Sequence, residues 1–140
     1  MSIAVRFQSR GGNTKAVAEA IAKAAGVAAE SIDAPISEPV DMLFVGGGIY
    51  AWALDDSLKD FLNTLSADNI KCVVPFSTGG TMSCAGRIAA IAKTKGIAVY
   101  DDALSVRMGL RNYGGRKGGV TLTDKQLGKI NDFVNRTKDR

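Results

Sequence analysis

The sequence predicts a three-layer α/β/α sandwich built on a five-stranded parallel sheet. Short apolar strands alternate along the chain with segments of helical periodicity, an order that requires right-handed crossovers between parallel strands. The run at residues 41–45 (DMLFV) is apolar after its first residue and does not alternate, which is typical of a sheet covered by helices on both faces. With 140 residues, 46% of them hydrophobic, the chain suits one domain spanning residues 1–140.

The predicted elements follow from apolar runs and from helix-ending signals. The five predicted strands are a run beginning at Ile3 and residues 31–34, 41–45, 72–76 and 97–100. The first helix is expected over Thr14–Ala25, with Asn13 as its cap and Gly26 as its end. The second helix is expected to begin at Asp55 or Asp56, and the third is expected over Ser83–Lys95. The last helix is expected to begin at the capping box Thr123-x-x-Gln126.

The loop after the first strand, residues 9–14 (SRGGNT), is predicted to bind a phosphate. Small residues directly before a helix point several backbone N–H groups and the positive end of the helix dipole at one place. A nucleoside-triphosphate loop is excluded because Lys15 follows Thr14 instead of preceding it. The dinucleotide pattern G-x-G-x-x-G also fails, since Gly11 and Gly12 are adjacent and no third glycine follows in the first turn.

Two further segments should meet this loop at the carboxyl ends of the strands. Residues 46–54 (GGGIYAWAL) place Tyr50 and the only tryptophan, Trp52, on a glycine-rich loop, where they suit stacking on a flat heteroaromatic ring. Tyr50 is the first choice for stacking and Trp52 the second; the alternative is that both pack a surface loop onto the domain. Residues 76–82 (FSTGGTM) carry hydroxyls and glycines suited to the polar edge of such a ring.

Two of the three segments, residues 9–14 and residues 46–54, resemble loops of the flavodoxin family. The phosphate loop [ST]-x-T-G-N-T is matched at Ser9, Gly12, Asn13 and Thr14, with Gly11 at the middle threonine position. The later G-x-P-x-Y-x-G loop and L-K-x-F-L helix are matched in six places, with Gly48 at the proline and Trp52 at the second glycine. The six matching residues are Gly46, Tyr50, Leu58, Lys59, Phe61 and Leu62.

The resemblance implies strand order 2-1-3-4-5 and a non-covalently bound FMN. Arg10 either reaches the FMN phosphate or points to water. No catalytic residue and no metal ligand are assigned, because the chain has no histidine and its cysteines lack metal-binding spacing. The implied cofactor-binding residues are Ser9, Arg10, Gly11, Gly12, Asn13, Thr14, Gly48, Ile49, Tyr50, Ala51, Trp52, Ser77, Thr78, Gly79, Gly80 and Thr81.

The function implied by the resemblance is electron transfer on FMN. The alternative is an FMN-dependent NAD(P)H or quinone oxidoreductase, for which glycines in the rim loops would leave room for a substrate. A flavin-free receiver domain is disfavoured because Gln8-Ser9 and Gly46-Gly47 stand where it needs acidic residues. Cys72 and Cys84 are expected to be buried core residues, although a reactive thiol at Cys84 is the alternative.

Charge is distributed unevenly along the chain. Residues 107–140 carry nine Lys/Arg against three Asp/Glu, a net +6, whereas residues 1–106 carry nine against eleven, a net −2. The basic, glycine-rich segment 111–119 (RNYGGRKGG) suggests either a solvated crossing, nucleic-acid binding or a docking surface for an acidic redox partner. We expect redox partner proteins without nucleic acid or membrane binding. Without a signal peptide or an apolar run of membrane-spanning length, a cytoplasmic protein is expected.

Overall fold

The computed structural model describes residues 1–9, 12–50, 53–78, 83–109, 112 and 119–139. Four helices and eight strands lie in these ranges. The helices are α1 (Asn13–Ala25), α2 (Asp56–Asn63), α3 (Ser83–Thr94) and α4 (Asp124–Lys138). The strands are β1 (Ile3–Phe7), β2 (Ala29–Ser31), β3 (Val40–Gly47), β4 (Ile49–Tyr50), β5 (Ala53–Leu54), β6 (Ile70–Ser77), β7 (Ala98–Val99) and β8 (Leu104–Ser105).

The main sheet is parallel and has the order β2-β1-β3-β6-β7. The predicted fold class and strand order are therefore confirmed, with β1, β2, β3, β6 and β7 as the five predicted strands. Val5 of β1 faces Phe44 of β3, which in turn faces Val74 of β6. This register places three carboxyl ends side by side, after Phe7, Gly47 and Ser77.

Two strand predictions differ from the structure. The second strand ends at Ser31 and does not cover 31–34, because Ser31 faces the last residue of β1, Phe7, and the chain then turns, with Ala34 N–H donating to the Ser31 carbonyl. The last sheet position is also shared by two short strands, since β7 and the unpredicted β8 both pair with β6. Two-residue strands show too little periodicity for sequence patterns to detect.

The helix ends follow local chemistry. Gly12, with φ of +91°, is the N-cap of α1 in place of the predicted Asn13, and no side chain of the described residues caps this helix. Asp55 is the cap of α2, its carboxylate accepting a hydrogen bond from Ser57 N–H. The predicted capping box of Thr123 and Gln126 is confirmed at α4, and Gly26 ends α1 in the left-handed conformation, as predicted.

The sheet separates two hydrophobic cores. Alternate residues of β3 face opposite sides, so Phe44 packs beneath α1 and α4 whereas Val45 packs beneath α2 and α3. The apolar faces of the helices are mostly buried in these cores, Phe133 of α4 among them, whereas Ala24, Ile91 and Leu127 are only half-buried. Cys84 is buried and Cys72 half-buried.

One crossover contains no helix. The segment between β2 and β3, residues 32–39, crosses β1 as an irregular connection. Beneath it lies the guanidinium of Arg6, which donates to the carbonyls of Ala34 (3.0 Å) and Pro35 (3.3 Å) and pairs with Glu30 at 3.1 Å. Arg6 is 7% exposed. A buried arginine therefore fills the space that a crossover helix would otherwise cover.

Candidate functional site

Three segments of the chain meet at the carboxyl edge of the sheet. They follow β1, β3 and β6, which are adjacent and parallel. Gln8 N–H extends the ladder by donating to the Gly46 carbonyl at 3.0 Å, and the hydroxyls of Thr14 and Thr78 lie 3.1 Å apart. The edge where sequence analysis placed the ligand site is therefore assembled from these segments, as sheets of this topology favour.

The turn into α1 leaves the start of this helix open to an anion. The Ser9 hydroxyl accepts a hydrogen bond from Gly12 N–H at 3.0 Å, which closes the turn. The positive φ of Gly12 is a conformation that residues with side chains rarely adopt. The first turn of α1 has neither a side-chain cap nor an acidic residue. Its N–H groups and positive dipole end are thus available to a phosphate.

Thr14 and Thr78 join two of the three segments. Thr14 is in the first turn of α1 and only 2% exposed, and Thr78 directly follows β6. Their hydroxyls meet on the face of the sheet where Phe76 covers Gly46; a Cβ on Gly46 would lie 2.4 Å from the Phe76 ring. Thr78, which sequence analysis assigned to the polar edge of a ring, therefore lies beside the predicted phosphate loop.

The segment after β3 forms a small antiparallel ribbon. Ile49 faces Leu54 and Tyr50 faces Ala53, so this part of the glycine-rich segment is a hairpin, which the sequence did not predict. Gly47, the last residue of β3, is tightly packed: a Cβ there would approach the Leu58 side chain to 2.8 Å and the Gln8 amide oxygen to 3.3 Å. Glycine at this position permits α2 and the end of β1 to pack against β3.

The predicted site residues divide into three groups. Ser9, Gly12, Asn13, Thr14, Gly48 and Thr78 lie at the carboxyl edge. Ser77 lies there too, but it is fully buried and its hydroxyl is 3.5 Å from that of Ser105 on β8. Ile49 and Tyr50 are described only as backbone, so stacking by Tyr50 stays a prediction. Arg10, Gly11, Ala51, Trp52, Gly79, Gly80 and Thr81 lie outside the described residues.

Two residues at this edge were not among the predicted ligands. Gln8 is 8% exposed, and its amide oxygen has no hydrogen-bond partner within the described ranges. Gln8 could have been predicted as a site residue because it is a polar residue directly after an apolar strand. Cys84, in the first turn of α3, is buried, and that burial raises the pKa of its thiol to about 11. Cys84 therefore fits the predicted buried residue rather than a reactive thiol.

The two ends of the basic segment are joined to each other, and the residue after it lies next to the start of α1. Asn112 is buried; its side chain accepts from Gly109 N–H at 3.0 Å and donates to the Thr121 carbonyl at 2.8 Å. Val120 packs at Gly12, where a Cβ would lie 3.4 Å from its methyl group. Residues 113–118, and with them most of the segment considered for nucleic-acid or partner binding, lie outside the described residues.

Several solved structures share this fold. Rubredoxin oxygen:oxidoreductase from Desulfovibrio gigas matches 95% of the chain with a TM-score of 0.69 at 11% identity. The metal-soaked Flv1 flavodiiron core from Synechocystis matches 98% with a TM-score of 0.66 at 18% identity. The chain spans about a third of these two proteins, 34% and 36% of their lengths.

A third similar structure has nearly the same length as this chain. It is the two-electron reduced flavodoxin of Megasphaera elsdenii, matched over 96% of this chain and 98% of its own, with a TM-score of 0.59 at 15% identity. No curated protein sequence matches the chain. Within the described residues, no helix is both long and apolar enough to cross a membrane.

Sequence comparison gives the family directly. The model of the flavodoxin domain matches residues 4–98, which include all but the first residue of β1, the whole of α1, the hairpin after β3 and the loop after β6. The match thus covers all three segments of the carboxyl edge and more than half of the chain. The chain belongs to the flavodoxin domain family.

Proposed function

We propose that this protein binds FMN non-covalently and carries electrons on it. The observation that carries the proposal is the contact between Thr14 and Thr78 at the uncapped start of α1. It places two hydroxyl groups beside a helix N-terminus whose cap, Gly12, has no side chain and whose first turn has no carboxylate. Membership of the flavodoxin domain family supports FMN as the ligand.

The phosphate end of the site fits the residues present. Gly12 takes a left-handed conformation that turns the chain into α1, and Ser9 fixes that turn through its bond to Gly12 N–H. A phosphate dianion here would accept hydrogen bonds from the backbone N–H groups of the first turn and from the Thr14 hydroxyl. Thr78 would hold that hydroxyl in place. Neutral donors and the helix dipole are enough for this role.

The glycine-rich segment after β3 is the part of the site proposed to hold the flat flavin ring. Gly48 stands between β3 and the β4–β5 hairpin, which borders the carboxyl edge. Glycines at 46–48 keep side chains off the sheet edge, and Tyr50 and Trp52 in the adjoining sequence are candidates for excluding water from the ring. FMN, when bound, supplies the redox chemistry.

The protein's own groups favour a carrier over an enzyme. The chain has no histidine, and the pKa of the Cys84 thiol, raised to about 11 by burial, keeps that group protonated at neutral pH. Neither the usual neutral-pH proton shuttle nor a thiolate nucleophile is thus offered near the edge. The positions of the described residues suit binding and orienting a cofactor rather than moving protons to and from a substrate.

The test is titration of apoprotein with FMN, followed by flavin fluorescence and calorimetry. We expect saturable one-to-one binding, weaker with riboflavin because it lacks the phosphate. Absence of any heat or quenching with excess FMN would overturn the proposal. The loaded protein is then mixed with NADH or NADPH: an electron carrier is reduced only when a separate reductase is added, whereas rapid direct bleaching indicates the FMN-dependent oxidoreductase instead.

A further inference from the structure

Three exposed cations lie together beyond the end of β8 and along the start of α4. Arg107, Lys125 and Lys129, here called the basic strip, are all exposed. Gln126, between the two lysines, donates its side-chain amide to the Arg107 carbonyl at 2.8 Å, and the Lys129 ammonium donates to the Ser105 carbonyl. These two bonds hold the segment after β8 against the first two turns of α4.

The positive charge of the basic strip is only partly offset within the protein, by Asp124 in the first turn of α4. Lys125 lies in the first turn of α4, at the positive end of the helix dipole, where a cation is destabilising. None of the three cations forms an ion pair with a carboxylate in the described part of the chain. By contrast, Lys15, which also lies in the first turn of a helix, is paired with Glu19: its ammonium is 4.0 Å from the Glu19 carboxylate. The basic strip therefore carries positive charge that an external anion would offset.

The position of the strip is also informative. Ser105 is level with Ser77 in the sheet, so Arg107 lies beyond the same carboxyl edge as Thr14 and Thr78. Val120, shortly before α4, packs at Gly12. The strip thus flanks the site proposed for FMN. We propose that the basic strip is the docking surface for an acidic patch on a redox partner protein.

The redox role of the partner depends on the proposed function. The docking surface does not, because it is inferred from the positions of the three exposed cations alone. An acidic protein surface fits it better than nucleic acid does. Asp124 directly precedes Lys125 in the first turn of α4 and is exposed, so a continuous phosphate backbone laid along the strip would meet this carboxylate. A compact cluster of three cations suits a few carboxylates at a protein interface, where charge complementarity steers association.

The test compares two variants with the same change in net charge. Arg107→Glu/Lys125→Glu/Lys129→Glu reverses the strip, and Arg87→Glu/Lys93→Glu/Lys95→Glu reverses three cations of α3 and its end, on the opposite face of the sheet. Binding of the full chain to an acidic plant-type [2Fe–2S] ferredoxin is measured at low ionic strength. We expect about tenfold or greater weakening in the strip variant, about twofold or less in the control, and loss of wild-type binding with salt.

Three outcomes would overturn the proposal. These are no wild-type binding to ferredoxin, equal losses in both variants, which would reflect net charge alone, or strip-dependent binding of duplex DNA without ferredoxin binding. Circular dichroism checks that both variants fold. Ferredoxin binding is measured on the apoprotein as well as after addition of FMN. If the protein binds ferredoxin through the strip but does not bind FMN, the proposed function is wrong and the docking surface is still supported.

Discussion

The hydroxyl groups of Thr14 and Thr78 lie 3.1 Å apart although 64 positions separate them in the chain. One belongs to the first turn of α1 and the other to the segment after β6. The contact exists because β1 and β6 lie on either side of β3, whose last two residues are glycines. The hydrogen bond between these two hydroxyls links the predicted phosphate loop to the segment after β6.

Thr78→Val tests whether that link supports phosphate binding. The substitution keeps the shape of the side chain but removes the hydroxyl that fixes Thr14, so we expect FMN to bind about 2–10-fold more weakly. Riboflavin, which lacks the phosphate, serves as the control ligand and should bind both proteins alike. Fluorescence titration of apoprotein measures both affinities. An equal loss for the two ligands would place Thr78 at the ring instead.

The two glycines that end β3 should respond differently to alanine. In Gly46→Ala the new Cβ would lie 2.5 Å from the Phe76 carbonyl oxygen, and backbone cannot easily move aside. In Gly47→Ala the nearest atom, at 2.8 Å, is a terminal methyl of Leu58, which can rotate. We expect Gly46→Ala to destabilise by about 2–3 kcal/mol and Gly47→Ala by about 1 kcal/mol or less, measured by urea unfolding.

A matched control for these variants is Gly86→Ala. Gly86 is an exposed residue within α3, and a Cβ there meets nothing within 4 Å. Because alanine is the better helix former, this variant should gain about 0.5–1 kcal/mol. Equal losses at Gly46 and Gly47 would show that the end of β3 yields more readily than its contacts suggest.

The sequence predicted the fold well because long apolar strands and capped helices leave clear signals. Capping chemistry located the start of α4 at Thr123 and narrowed that of α2 to Asp55 or Asp56, of which Asp55 is the cap. The start of α1 was assigned to Asn13 instead of Gly12, since a backbone conformation with φ of +91° acts there without any capping side chain. The two-residue strand β8 was missed because its pairing with β6 depends on tertiary contacts.

The candidate site was predictable in outline but not in its contacts. Motifs placed Thr14 and Thr78 in loops at the same edge of the sheet, but no sequence pattern reports that their hydroxyls bond to each other. Arg6 was equally hidden: a charged residue within an apolar strand shows its role only when the carbonyls of Ala34 and Pro35 are seen above it. Long-range side-chain contacts of this kind depend on how the crossovers pack.

Arg6→Met tests the role of the buried guanidinium. Methionine fills most of the volume but leaves the carbonyls of Ala34 and Pro35 without their donor, so we expect a loss of about 2–3 kcal/mol in the free energy of unfolding. Glu30→Gln removes only the ion pair with a half-exposed carboxylate and should cost less than about 1 kcal/mol. Urea unfolding of both variants makes the comparison, and similar losses would assign the stabilisation to the ion pair.

The buried thiol of Cys84 predicts a dependence of stability on alkaline pH. Burial raises its pKa from 9.0 to about 11 in the folded protein. Below pH 9 the thiol is protonated in both states and the shift has no effect. Between about pH 9 and 11 the unfolded chain ionises first, so stability falls as pH rises, by about 1–1.5 kcal/mol at pH 10.

Comparison with Cys84→Ala isolates this contribution, because every other titrating group is common to both proteins. Urea unfolding at pH 8 and at pH 10 should show that the wild type loses more stability than the variant over that interval. A parallel pH dependence in the two proteins would mean that the Cys84 thiolate is accommodated in the folded state. It would also reopen Cys84 of α3 as a reactive group, next to the end of β3, where Gly47 N–H is its hydrogen-bond donor.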